Sequence, residues 1–377
     1  MTLTAFVGGR LFTGYETLAG RALVVEDELV RDIADTAPAG ATRIEVAHDH
    51  LIVPGFIDLQ VNGGGGVLFN DSPDVATIRA IGAAHRRFGT TGFLPTLISD
   101  RPERLAAGLA AARDAIAARV PGALGIHVEG PFISRAKRGV HAAAALRTPS
   151  GDEIAAISKP NGGVTLLTVA PEVVPPETIA ALAGAGVRVF LGHSDANAAT
   201  VRVALDAGAC GFTHLYNAMS ALGSRAPGMV GAALADRESW CGLIVDGHHV
   251  DPTALKIAIG VKPRGKCVLV TDAMPPVGAA RLSFELYGET LTVKDGRVVT
   301  SDGTLAGAAL DMATAVRNTM SLLDVARDEA LRMASAYPAD ALGLGHRLGR
   351  LLPGYRADIA VLDAGLNVTQ TWIGGAG

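Results

Sequence analysis

Five short stretches of this chain end in side chains that bind cations or carry protons. Glu129 closes His127-Val128-Glu129-Gly130-Pro131, His193 sits in Gly192-His193-Ser194, and His214 lies in Thr213-His214-Leu215-Tyr216-Asn217. Asp246-Gly247-His248-His249 and Thr271-Asp272-Ala273 complete the set, and each stretch joins a run of apolar residues. One carboxylate with two imidazoles, here Glu129, His193 and His214, is a donor set for a divalent ion that leaves a position open for water. With a single anionic ligand the ion stays cationic, able to bring the pKa of water towards about 7 and to polarise a carbonyl oxygen. Asp272 could accept a proton from that water and pass it to a departing amine. The chemistry expected is metal-assisted hydrolysis.

Each residue also has a plainer reading. A lone histidine at a strand end is more often a hydrogen-bonded structural residue. Glu129 could cap the segment after Gly130-Pro131, and Asp272 could be a helix N-cap. These readings weaken together, since all four residues would have to reach one rim by accident. His48, His50, His85 and His346 lie outside the strand ends and are read as structural or solvent-facing.

The elements that must present these residues are eight apolar runs: Phe56 to Val61, Gly92 to Leu97, Leu124 to Val128, Val164 to Val169, Val187 to Leu191, Gly211 to Leu215, Cys241 to Val245 and Cys267 to Val270. Such runs suit strands buried on both faces. Ala-rich helix candidates fall between them, at Thr77 to Phe88, Arg104 to Ala118, Pro176 to Ala185 and Ala196 to Ala207. Strands alternating with helices imply a parallel sheet. Eight of them suit an α/β fold of the (β/α)8 TIM-barrel type, which gathers chemistry at the C-terminal ends of its strands.

A doubly wound open sheet is the alternative. Its dinucleotide-binding form needs a glycine fingerprint after the first strand, whereas Gly343, Gly345 and Gly349 are spaced one residue too long and follow a helical pattern. The tetraglycine Gly63 to Gly66 lacks the Lys-Ser/Thr of a phosphate loop and is expected to be a mobile loop over the barrel mouth. Short strands and turns at both ends predict a small β-sandwich built from residues 1–53 and 350–377, around a barrel over 54–349.

Composition narrows the function further. A formal net charge of -4, with no run of like charges, excludes the basic footprint of a nucleic-acid binder. A phosphorylated substrate would need a few local cations. No apolar stretch reaches membrane-spanning length. The first residues show no basic stretch followed by an apolar run, and Cys210, Cys241 and Cys267 are far apart without CxxC spacing. Isolated thiols in a reducing, cytoplasmic setting are expected.

Several motifs together carry a resemblance. PGFIDLQVNGGGG from Pro54, HVEGPF from His127, LGHSDA from Leu191, THLYNAMS from Thr213, GLIVDGHHVD from Gly242, LVTDAM from Leu269 and GTLAGA from Gly303 occur in order. LGRLLPGYRADIAVLD from Leu348 closes the series. Over nearly its whole length the chain resembles the N-acetylglucosamine-6-phosphate deacetylases of the amidohydrolase superfamily. The resemblance implies metal ligands at Glu129, His193 and His214 and a general base and acid at Asp272. It implies that His141 contacts the substrate and polarises the acetyl carbonyl. Substrate-binding positions are implied at Val140, Asn217, Ala218, Arg225, His249, Leu305, Ala306 and Gly307, with Arg225 and His249 on the phosphate. In relatives such contacts can come from a neighbouring subunit, which implies a homodimer.

Many superfamily members carry HxH after the first strand and bind two metals. Here that place holds Gln60-Val61-Asn62, and amides are poor zinc ligands beside imidazole. One metal per subunit is therefore expected. Zinc is the first choice, and iron, cobalt and manganese also suit the site. The implied reaction converts N-acetyl-D-glucosamine 6-phosphate to D-glucosamine 6-phosphate and acetate. The rivals are the same reaction on the galactosamine epimer, a cyclic-amide hydrolase or amino-acid deacylase, and a non-catalytic amidohydrolase-like scaffold.

Overall fold

The computed structural model describes residues 2–377. Eight parallel strands form one sheet in chain order: β1 (Phe56–Val61), β2 (Thr90–Ile98), β3 (Gly125–Glu129), β4 (Val164–Val169), β5 (Arg188–Leu191), β6 (Gly211–Phe212), β7 (Trp240–Leu243) and β8 (Cys267–Leu269). The two ends of the sheet meet just past the last strand. Val61 bridges Ala273 in parallel, and the Asp272 N–H donates to the Gln60 carbonyl at 3.0 Å. The sheet is thus a nearly closed barrel, as the apolar runs predict. Every residue of β1, β2 and β3 is buried, which is why those stretches read as continuous apolar runs.

Crossover helices follow the strands: α1 (Val75–Arg86), α2 (Pro102–Ala117), α3 (Gly151–Ser158), α4 (Pro176–Gly184), α5 (Ala198–Asp206), α6 (Gly228–Ala235), α7 (Pro252–Val261) and α8 (Met312–Leu323). Their starts are set by local chemistry. Asp74, Asn197 and Asp311 each accept a backbone N–H in the first turn, and Pro102 occupies the first turn of α2, where its missing N–H costs nothing. Among the described residues no helix is long and apolar enough to cross a membrane.

Strands from both ends of the chain pack beside the barrel in two sheets. One orders Leu29–Ala34, Ala22–Glu26, Leu3–Val7 and Thr42–Glu45; the other orders Val368–Trp372, Ile359–Leu362, Leu51–Pro54, Arg10–Phe12 and Thr17–Leu18. Phe6, Leu11, Leu23, Ile52, Ile359 and Val361 form the core they share.

Two features depart from the sequence reading. A four-stranded antiparallel sheet, Ser283–Leu286, Glu289–Lys294, Arg297–Val299 and Leu305–Ala308, is inserted between β8 and α8. The tetraglycine is a paired, hydrogen-bonded turn where an open loop is expected. Gly63–Gly64 pairs with Val67–Leu68, the N–H groups of Gly63, Gly65 and Gly66 bond to Ala273, Val277 and Pro275, and buried His85 bonds the Gly63 carbonyl at 3.0 Å. Glycine is required by close approach: a Cβ at Gly63 would sit 2.5 Å from the Val67 carbonyl oxygen.

Candidate metal and active site

At the C-terminal rim of the barrel, Glu129 ends β3, while His193 and His214 stand just beyond β5 and β6. All three are buried, and their ligand atoms lie within 4.8 Å of one another. Oε1 of Glu129 is 3.2 Å from His193 Nε2 and 3.0 Å from His214 Nε2, and the two Nε2 atoms are 3.1 Å apart. Nδ1 of His193 lies 2.8 Å from the Lys137 carbonyl, an acceptor only. That bond places the ring proton on Nδ1 and turns the Nε2 lone pair towards Glu129. Burial alone would push the Glu129 carboxyl up, but the two imidazoles facing it outweigh burial and hold it well below the usual carboxylate range. A buried carboxylate and two imidazole nitrogens converging on one point fit a divalent metal ion.

Asp272 arrives beyond β8. Its Oδ1 accepts from Gln60 Nε2 at 3.1 Å and from Asn62 Nδ2 at 2.7 Å, and the same Gln60 nitrogen is 3.0 Å from Glu129 Oε1. Burial, reinforced by the Glu129 carboxylate, pushes Asp272 up to about 6. Gln60 and Asn62 are read from the sequence only as the place where HxH is missing. Their positive role, orienting Asp272, depends on the barrel seam and leaves no local signal.

The backbone is bent to deliver these groups. His193, His214, Ala218 and Asp272 all have positive φ, at 47°, 32°, 50° and 52°. This left-handed region is uncommon for residues other than glycine, and such outliers gather at functional sites. It also explains why β6 and β8 stop short of the predicted runs: the chain must leave the strand to turn each side chain over the rim.

His141 lies in the loop after the Arg135–Lys137 turn, with its ring edge-on to His193 at 4.5 Å between centroids. Its Nδ1 is 2.7 Å from Ser99 Oγ and accepts the Ser99 backbone N–H at 3.2 Å. Burial, with His193 adding to it, pushes His141 down to about 3, so the ring is neutral at ordinary pH. One layer below, His127 bonds Thr96 Oγ1 at 3.2 Å and Thr168 Oγ1 at 2.8 Å, and burial pushes it down to about 4. His127 is a satisfied interior residue.

Above these groups opens a cavity of about 180 Å³, lined by Glu129, Val140, His141, His193, His214, Asn217, Ala218, His249, Asp272, Leu305 and Gly307, together with Asn62, Ile98, Gly139 and Met274. His249 is held by Asp246, Nδ1 to Oδ2 at 2.6 Å. Two predicted residues fall outside the lining. Ala306, on the opposite face of its strand from Leu305 and Gly307, packs into the core of the inserted sheet. Arg225 lies on the exposed loop 221–227. The lining contains no lysine or arginine.

The model of the Amidohydrolase family matches residues 51–376. The chain is 42% identical to an N-acetylgalactosamine-6-phosphate deacetylase of Shewanella sp. (strain ANA-3), over 98% of this chain and 94% of that one. It superposes on a crystal structure of N-acetylglucosamine-6-phosphate deacetylase from Pasteurella multocida with a TM-score of 0.95 and 35% identity, covering 99% and 98% of the two chains. A second structure is an aspartate-to-alanine variant of the Mycobacterium smegmatis N-acetyl-D-glucosamine-6-phosphate deacetylase in complex with N-acetyl-D-glucosamine-6-phosphate. It matches with a TM-score of 0.91 and 30% identity, over 100% and 99% of the chains.

Proposed function

The chain belongs to the amidohydrolase family, and from that premise we propose that it hydrolyses N-acetyl-D-glucosamine 6-phosphate to D-glucosamine 6-phosphate and acetate. The observation that carries this reading is the gathering of Glu129, His193, His214, Asp272 and His141 around one rim cavity. Full-length relatives of this chain are named for that class of reaction.

In this reading Glu129, His193 and His214 hold one divalent cation, zinc by the nature of the donors, with iron, cobalt and manganese as other occupants. The cation, when bound, supplies Lewis acidity that favours ionisation of water and polarisation of a carbonyl. Asp272 removes the proton from the water that attacks the amide carbon. Gln60 and Asn62 both bond its Oδ1, so Oδ2 is left to exchange the proton. As the new C–O bond forms, His141 donates a hydrogen bond to the oxygen on which charge develops. Asp272 then returns the proton to the amide nitrogen, the C–N bond breaks, and the amine and acetate leave.

The phosphate needs positive charge that the lining does not supply. His249, with one ring N–H on Asp246, offers the other as a donor when it is the imidazolium. Arg225 adds its planar fork of donors from the loop 221–227. An exposed loop outside its own cavity is suited to reach the site of a second copy, so a homodimer is part of the proposal.

The galactosamine epimer is the second reading, favoured by the 42% identity to a protein named for it. Acetate release measured on both phosphosugars and on unphosphorylated N-acetylglucosamine tests the assignment. The highest kcat/KM is expected on N-acetylglucosamine 6-phosphate; a preference for the galactosamine sugar moves the substrate, and equal turnover of the unphosphorylated sugar sinks the phosphosugar reading.

A further inference from the structure

Hydrogen bonding around His141 extends out of the barrel into the inserted sheet. A backbone N–H has only a proton to offer, so the nitrogen it points to must carry a lone pair. The Ser99 N–H points at Nδ1 of His141, and the Ser99 hydroxyl reaches the same nitrogen at 2.7 Å. The proton of the neutral ring is therefore on Nε2.

Ser99 follows directly on β2, and its other backbone group is also engaged. The hydroxyl of Tyr287 donates to the Ser99 carbonyl at 2.6 Å. The backbone of Ala142, next in chain to His141, lies against the same hydroxyl. One phenol thus ties together the two segments whose alignment sets the His141 ring.

Tyr287 is an unusual residue for its place. Leu286 pairs with Glu289, so Tyr287 and Gly288 form a two-residue hairpin turn with φ of 51° and 84°. Turns with both φ values positive favour Asn, Asp or Gly at the first position, because a bulky side chain is strained there. The strain coincides with a hydrogen bond to the segment that orders His141, 188 residues away in sequence.

We propose that Ser99 and Tyr287 are positioning residues for the reaction: Ser99 fixes His141 with its proton on Nε2, and Tyr287, at the tip of the inserted sheet, holds the Ser99 and His141 segments in register. The proposal rests on the reading of His141 as the donor to the acetyl oxygen. A ring with the opposite tautomer would present a lone pair to the developing negative charge and repel it.

The test uses the metal-loaded enzyme. Ser99→Ala is expected to lower kcat by about tenfold with KM changed by less than about twofold, Ser99→Thr to recover most of the loss, and Tyr287→Phe to lower kcat by about threefold. Nitrogen-15 spectra of histidine-labelled protein should show His141 with Nε2 protonated and Nδ1 bare in the parent. In Ser99→Ala the backbone N–H still faces Nδ1, so the tautomer should be kept while the Nδ1 signal shifts away from that of Nε2 as the hydroxyl's bond is lost. In a His141→Asn background, Ser99→Ala should add less than about a twofold loss, because its effect passes through the missing ring. Tyr287→Phe removes a single hydroxyl from a side chain outside the barrel core, so its result stands even where Ser99→Ala fails to fold. Unchanged kcat and spectra in Ser99→Ala and Tyr287→Phe, or a full further loss in the His141→Asn background, would overturn the positioning role. Full turnover in His141→Asn itself would instead remove the premise, and the proposal with it.

Discussion

The Nε2 atoms of His193 and His214 stand 3.1 Å apart, nitrogen facing nitrogen. His193 has committed its ring proton to the Lys137 carbonyl, so the nitrogen it turns inward is a bare lone pair. Two inward imidazole nitrogens beside a carboxylate oxygen are better matched by a shared cation than by hydrogen bonds alone.

Metal dependence follows directly. His214→Ala should lose bound metal and lower turnover by about a thousandfold or more, and a chelator should do the same to the parent reversibly. Metal analysis beside an acetate-release assay checks both, and full activity in metal-stripped protein would remove the hydrolytic mechanism.

Asp272→Asn separates metal binding from proton transfer. Asn keeps the shape of the side chain but cannot carry the proton, so turnover should fall by about a thousandfold while the metal is retained. Near-parental activity in this variant would end the assignment of Asp272 as base and acid.

The pH profile should carry the same residue. Asp272 acts as a base only when ionised, and burial with the Glu129 carboxylate pushes it up to about 6. A cation on Glu129, His193 and His214 pulls in the opposite direction. The expected acid limb of kcat/KM therefore rises with pH through an apparent pKa of about 6 or below. It should be absent from the residual activity of Asp272→Asn.

Much of this site is legible in the sequence because strand ends in a parallel barrel face one way. An apolar run followed by Glu, His or Asp then predicts a common rim, and Glu129, His193, His214 and Asp272 do meet there. Relationships across the barrel seam are not legible in this way. The bonds from Gln60 and Asn62 to Asp272 span 212 and 210 residues, and Tyr287 reaches Ser99 across 188. The inserted sheet escapes notice because its strands are short and half-exposed, without the long apolar runs of the barrel. The tetraglycine looks mobile in sequence, yet its lack of side chains is what lets the hairpin close on its own Val67 and pack against Pro275.

Arg225→Ala should weaken the phosphorylated substrate selectively. Losing a charged hydrogen bond to phosphate is expected to lower kcat/KM by about 10- to 100-fold on the phosphosugar. Slow turnover of the unphosphorylated sugar should be unchanged. Equal effects on both sugars would take Arg225 off the phosphate.

Stability should carry a separate pH signature from Asp58. This carboxyl lies inside the barrel, where burial pushes it up to about 7 despite bonds from Thr271 and Gln60. The unfolded chain releases that proton near pH 4. Its contribution is thus full below about pH 4 and lost as pH rises through about 7. Asn resembles the protonated acid, so Asp58→Asn should gain stability relative to the parent as pH rises from about 5 to about 8. Urea midpoints at the two pH values measure it, and a constant difference would place the proton elsewhere.

The closure of the barrel by Val61 and Ala273 has a consequence for how Asp272 is held. Glu129, His193 and His214 stand at the ends of β3, β5 and β6, whereas Asp272 takes its bonds from Gln60 and Asn62 only where the last stave docks against the first. Completing the ring is therefore what aims the Asp272 carboxylate, so damage to the seam should disturb this one side chain while leaving Glu129, His193 and His214 in place.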